Sequence, residues 1–194
     1  MKDRNLKSKP PVKTKSASKN RQQGIFSIEF AIVGFFFSLL LVFSGDVIIK
    51  LSVKGKLDRL SYSLVNVIKE RTQLYNASVQ LTPKQVDDVD KIARHSLMRT
   101  FANYDSKQYG LLVEELSFSG VDQVNPIISE IRGSITCPVA QPIDQLSHLS
   151  VVSVWGHQMP LYRVTLCYRT DNWFGDIVGT QFTDVMSDSI VIGR

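Results

Sequence analysis

Few residues in this 194-residue chain can do chemistry, and the most informative is a single carboxylate. Glu29 stands within "GIFSIEFAIVGFFFSLLLVF", Gly24 to Phe43, a run otherwise close to an ideal membrane span. A charge at the centre of a membrane helix costs about 2.5–3.5 kcal/mol on insertion scales and less near the interface, so Glu29 needs a cationic partner or a route to water. The chemistry it offers is charge pairing, not catalysis. Cys137 and Cys167, the two thiols of the chain, can oxidise to a disulfide or ligate a metal.

The remaining candidates are weaker. Cys137, Cys167, His148 and His157 lack the close-pair spacing of structural zinc sites, and His95 falls inside a predicted helix, so no metal and no cofactor is expected. No nucleophile elbow, zincin, Walker A or dinucleotide motif is present, which leaves no nominated active site and no small-molecule substrate. Asp87, Asp88 and Asp90 crowd the first turns of a predicted helix, where negative charge suits the dipole, and read as a solvated face. "NWFG", Asn172 to Gly175, reads as a loop whose Trp173 and Phe174 either contact a partner or plug the underside of a sheet, the plug being favoured. Asn76 heads an "NAS" acceptor sequence that nothing else in the chain supports.

Charge is distributed unevenly. Residues 1–24 hold eight cations against Asp3 alone, a net +7 in a chain whose total is +5. This Lys/Ser/Pro-rich arm cannot bury enough surface to fold and reads as a topogenic or cleavable leader. The body lacks a basic stripe and any helix-turn-helix or RNA-binding signature, so nucleic acid is not an expected partner. The apolar run from Ile25 to Ile49 exceeds the roughly 20 residues that a helix needs to cross a bilayer. With the cations ahead of it, the amino terminus belongs in the cytoplasm and the body outside it. An extracytoplasmic compartment is oxidising, so Cys137 and Cys167 are expected to pair. Their separation is worth roughly 3–4 kcal/mol in the chain-entropy description.

These residues are positioned by an expected α+β architecture. Leu51, Leu57, Leu60, Leu64, Val67 and Ile68 recur at helical spacing and extend the span into an amphipathic stem, which Gly55 is placed to bend or weaken. "LTPKQVDDV" starts a second helix, with Thr82 as N-cap, Pro83 at the first helical position, Gln85 completing a capping box, and Val86, Val89, Ala93 and Leu97 facing inward. Beyond about Asn103, "GLLVEELSFSG", "IRGSITCPVA", "LSVVSVWG" and "LYRVTLCYRT" read as strands, with Gly156–Pro160 joining the last two as a hairpin. Tyr162, Val164, Leu166 and Tyr168 alternate with Arg163, Thr165, Cys167 and Arg169, which predicts two differently used sheet faces, and Ser189–Ile192 predicts a final strand. The expected divisions are a leader (1–24), a transmembrane helix (25–49), a helical stem with a second helix (50–103) and a β-rich extracytoplasmic region (104–194).

"RQQGIFSIEFAIV" resembles a type IV prepilin processing site, in which a membrane aspartic peptidase cuts after the glycine and the fifth mature residue is glutamate. Together with "KLDRLSYSLVNVIKERTQLY", "LYRVTLCYRTDNWFGDIVG" and the terminal "SIVIGR", the chain resembles the TadE/TadF pseudopilins of tight-adherence (Tad/Flp) pili, and TadF most closely. The resemblance implies cleavage between Gly24 and Ile25, an assembly contact at Glu29, and a non-enzymatic minor subunit anchored in the bacterial inner membrane. Its implied partners are a TadV-like prepilin peptidase, a TadE-like pseudopilin, the major Flp pilin and the inner-membrane Tad assembly platform. The implied role is assembly or initiation of pili for adherence and biofilm formation. Two rivals from other classes stand beside it: an unprocessed signal-anchored periplasmic binding or folding factor, and a secreted hydrolase cut near Ser44 or Gly45. Their mature chains begin at Ile25, Met1 and near Asp46 respectively.

Overall fold

The computed structural model describes residues 23–74 and 80–193, with side chains from 26–70 and 80–193. The basic leader and the Asn76 acceptor lie outside the described residues. The chain divides into two compact units, Met1–Leu41 and Val42–Arg194. In the first, the described residues are all helical and belong to α1, Gln23–Leu74. The helix passes Gly55 without interruption.

In the second unit the α1 stem packs with α2 (Pro83–Thr100) on one face of an antiparallel sheet. α2 begins where its capping residues predict: Gln85 Oε1 accepts from the Thr82 N–H at 2.9 Å. Val86, Val89, Ala93 and Leu97 are all buried, as their spacing requires. On the stem, Leu57, Leu60, Leu64 and Ile68 are buried, joined by Ser61 and Val65, whereas Leu51 and Val67 point outward.

The strands are β1 (Tyr109–Leu116), β2 (Phe118–Gly120), β3 (Gln123–Val124), β4 (Ile128–Gly133), β5 (Leu161–Arg169) and β6 (Asp184–Ile192). The main sheet runs β4-β1-β5-β6, and β2 and β3 form a separate ribbon. β5 is central and alternates as its sequence predicts. Tyr162, Val164, Leu166 and Tyr168 join Tyr109, Leu111 and Val113 against the helices, while Arg163, Thr165 and Cys167 take the opposite face. Ser61 shares hydrogen bonds with Ser187 (3.1 Å) and Ser189 (2.8 Å), which fix β6 against the stem. β6 begins five residues before the expected Ser189 because Asp184–Ser189 find partners along β5.

Three expectations fail here. Of "IRGSITCPVA" only Ile131–Gly133 belong to a strand, β4, and Ser134–Ala140 are not strand. "LSVVSVWG" is not a strand: Ile143–Leu149 form a 3₁₀ helix, and the rest is a turn with one bridge, Val152 to Gln158. Its β-branched residues suit a strand, but both sides of β5 are already occupied, by β1 and β6. "NWFG" opens a short helix, α3 (Trp173–Val178), and is no plug beneath the sheet: Trp173 is 55% exposed, and Phe174 packs edge-on against Phe43 of α1, ring centroids 5.0 Å apart.

Candidate functional site

Gly24 and Ile25 occupy the first turn of α1. The leading N–H groups of a helix have no intrahelical carbonyl partner, so opening this turn costs fewer hydrogen bonds than opening the helix interior. Glu29 follows one turn beyond Ile25. An amine generated at Ile25 would lie about 6 Å from it along the axis of the same helix, from a rise of 1.5 Å per residue.

The surroundings of Glu29 are apolar and uncovered. Phe26, Ile28, Phe30, Ile32 and Val33 are all exposed, Phe30 at 72%. Of the most apolar 18-residue window in this helix only 6% is buried, which separates it from the core helix of a soluble protein. By length and composition it is able to cross a membrane. Among the described residues no cation lies within ion-pair distance of the Glu29 carboxylate. The first cation to follow, Lys50, is engaged by Asp46 one turn before it.

In the second unit, Cys137 and Cys167 form a disulfide with Cα atoms 5.5 Å apart. It ties the segment after β4 across the face of the sheet turned away from α1 and α2, where Leu112 and Ile135 pack against the sulfurs. Gly110, opposite Cys167 in the β1–β5 register, admits this crossing: a Cβ there would stand 2.3 Å from the Ile135 carbonyl oxygen and 2.8 Å from Cys167 Sγ. On the same face Arg163, 2% exposed, donates from Nε to Glu114 Oε2 at 2.6 Å and from Nη1 to the Gln141 carbonyl at 2.6 Å. This buried ion pair holds the crossing segment through Gln141.

The acidic cluster is the expected solvated face at Asp87 and Asp88, which are exposed, and departs from it at Asp90, which is buried. Asp87 and Asp88 lie beyond the first turn of α2, where the dipole effect has faded. Asp87 instead accepts from Arg132 Nε at 2.7 Å and ties α2 to β4, and Asp88 pairs with Lys91. Asp90 is buried, accepting from Arg94 Nε at 2.8 Å. Burial, with the Asp90 carboxylate nearby, pushes the Tyr109 phenol far above its ordinary range. The Asp87–Arg132 pair ties α2 to the sheet, and no spacing rule would have brought Asp90 near Tyr109 or joined Glu114 to Arg163.

His148 Nδ1 lies 3.1 Å from the Gln145 carbonyl within the 3₁₀ turn, His157 is in the turn before β5, and His95 is exposed on α2. Among the described residues no group of three His, Cys, Asp or Glu is placed to hold a metal ion. Comparison with curated proteins and with solved structures returns no match. The family TadF, tight adherence pilin protein F, matches residues 17–194, from within the basic leader to the last residue. The uncovered apolar helix bearing Glu29 and the disulfide-braced head thus belong to one continuous family pattern, and the chain is a member of the TadF family of Tad pilus proteins.

Proposed function

We propose that this chain is a minor pilin-like subunit of a tight-adherence pilus, cut between Gly24 and Ile25 by a prepilin peptidase and acting in assembly or initiation of the fibre. One observation carries the reading: in a TadF-family chain, an exposed apolar helix bears a carboxylate at the fifth residue after Gly24. Cleavage removes the +7 arm and creates a cationic amine at Ile25. At about 4 Å and an effective dielectric near 20, that amine and a Glu29 carboxylate attract by about 4 kcal/mol before desolvation. This is comparable to the roughly 2.5–3.5 kcal/mol cost of a charge at mid-membrane, so the pair offsets its own burial. The amine of its own chain lies one turn before Glu29 on the same helix, and the amine of a neighbouring subunit is the alternative partner, the one that would set the register between helices.

In this reading the chain crosses the inner membrane once, with its amino terminus cytoplasmic and its head periplasmic. Its partners are a TadV-like peptidase, a TadE-like pseudopilin, the major Flp pilin and the assembly platform. It carries out no catalysis. Pili so assembled serve adherence and biofilm formation. Glu29→Val tests the contact: membrane insertion is retained and pilus formation is lost, whereas normal piliation in that variant refutes the assigned role.

A further inference from the structure

The Thr170–Thr183 segment holds α3 and presents Trp173, Ile177, Val178 and Phe182 as exposed apolar side chains. We infer that this segment is a second membrane contact, an interfacial foot that sets α3 into the bilayer surface beside the emerging α1 helix. The inference rests on the single-span reading above.

Three observations favour lipid over other occupants. The first is continuity: Phe174 packs against Phe43, inside the apolar run of α1, so whatever solvates Phe43 also reaches α3. The second is that the polar groups around α3 are largely bonded to one another, which lowers the cost of resting on an apolar interface, while Asp171 and Gln181 stay exposed. Asn172 Nδ2 donates to Asp176 Oδ1 and to the Thr180 carbonyl, each at 2.8 Å, and Asn172 Oδ1 accepts from the Phe182 N–H at 3.1 Å. The Thr170 N–H donates to the Thr183 carbonyl at 2.8 Å and closes the base of the segment. Gly175 permits this closure, since a Cβ there would stand 2.0 Å from Asn172 Oδ1. The third is composition. Tryptophan favours the membrane–water boundary, and the segment has no cation to draw it to acidic headgroups, so its attraction to lipid is apolar.

The molecule contains its own control. Trp155 is 81% exposed in the turn preceding β5, whereas Trp173 follows the other end of that strand. Nine strand residues at about 3.3 Å each separate the two ends by about 30 Å. If α3 rests on the bilayer and β5 rises from it, Trp155 is held well away.

The test uses the full chain reconstituted in phosphatidylcholine vesicles, with and without bromine at shallow acyl positions. Trp155→Phe leaves Trp173 as the sole tryptophan, and Trp173→Phe leaves Trp155. The expected result is blue-shifted Trp173 emission that loses most of its intensity in brominated lipid, with Trp155 emission unaffected by bromine and quenched by aqueous acrylamide. Trp173 emission indifferent to bromine in chains that float with the vesicles overturns the foot alone. That includes the case in which acrylamide fails to quench it as well, which would assign the surface to a protein partner. Equal quenching of both tryptophans by bromine also overturns it. Chains that do not float after alkaline washing overturn the membrane span, and the foot with it.

Discussion

Breaking the Cys137–Cys167 bond should loosen the head by an amount the topology sets. The bridge closes a loop with a sequence separation of 30 residues, for which the chain-entropy relation gives about 3–4 kcal/mol. Little of this is returned by lost packing, because the reduced thiols remain at the same buried positions between Leu112 and Ile135. For a unit of this size each kcal/mol moves the midpoint by about 2–4 °C, so reduction should lower the melting temperature of the head by about 10 °C. The measurement is near-ultraviolet circular dichroism against temperature, on full-length protein in detergent, with and without reductant. A Cys137→Ala, Cys167→Ala double variant should melt close to the reduced protein. A shift below about 2 °C would refute the reasoning, because it would mean that the crossing segment is held without the bridge, by Arg163 and the packing around Ile143.

Two further perturbations test the buried polar groups. Glu114→Gln leaves the Arg163 guanidinium buried without its counter-charge and should cost about 3–5 kcal/mol in denaturant unfolding, whereas a cost under about 1 kcal/mol contradicts the pairing. Burial, reinforced by Asp90, raises the Tyr109 phenol above its ordinary value of 10.0, so the folded state retains a proton that the unfolded chain releases. That contribution to stability is complete below pH 10.0 and falls as pH rises beyond it. Tyr109→Phe should therefore flatten the alkaline loss of stability, leaving the part due to Tyr104, whose phenol is raised by its own burial. An unchanged slope above pH 10.0 contradicts this.

Local signals in the sequence translated well, and signals that depend on topology did not. Thr82, Pro83 and Gln85 lie within one turn of each other, so their geometry is legible before any tertiary contact exists. The alternation along Tyr162–Arg169 is equally local, although only the packing of the helices on one side and the disulfide segment on the other reveals that both of its faces are covered. "LSVVSVWG" carries strand propensity, yet pairing requires an open edge beside it, and sheet order is not written in propensity. α3 depends on Asn172 reaching Thr180 and Phe182, contacts with no periodicity to detect. Trp173 and Phe174 were legible as apolar bulk, but the direction in which they point is decided by Phe43, more than a hundred residues earlier. Likewise Asp90 looks solvated in sequence because Tyr109, beside which it is buried, is distant along the chain. Glu29 is the converse case. Its oddity is plain from the neighbouring residue types, but among the described residues the chain holds no partner for it.

The proposed function depends on hydrolysis of one peptide bond. Sequencing the amino terminus of the protein isolated from its native membrane, with its maturation peptidase active, tests this most directly. The account predicts a chain beginning at Ile25, with the lysine-rich arm gone. A chain beginning at Met1, or cut near Asp46, contradicts it.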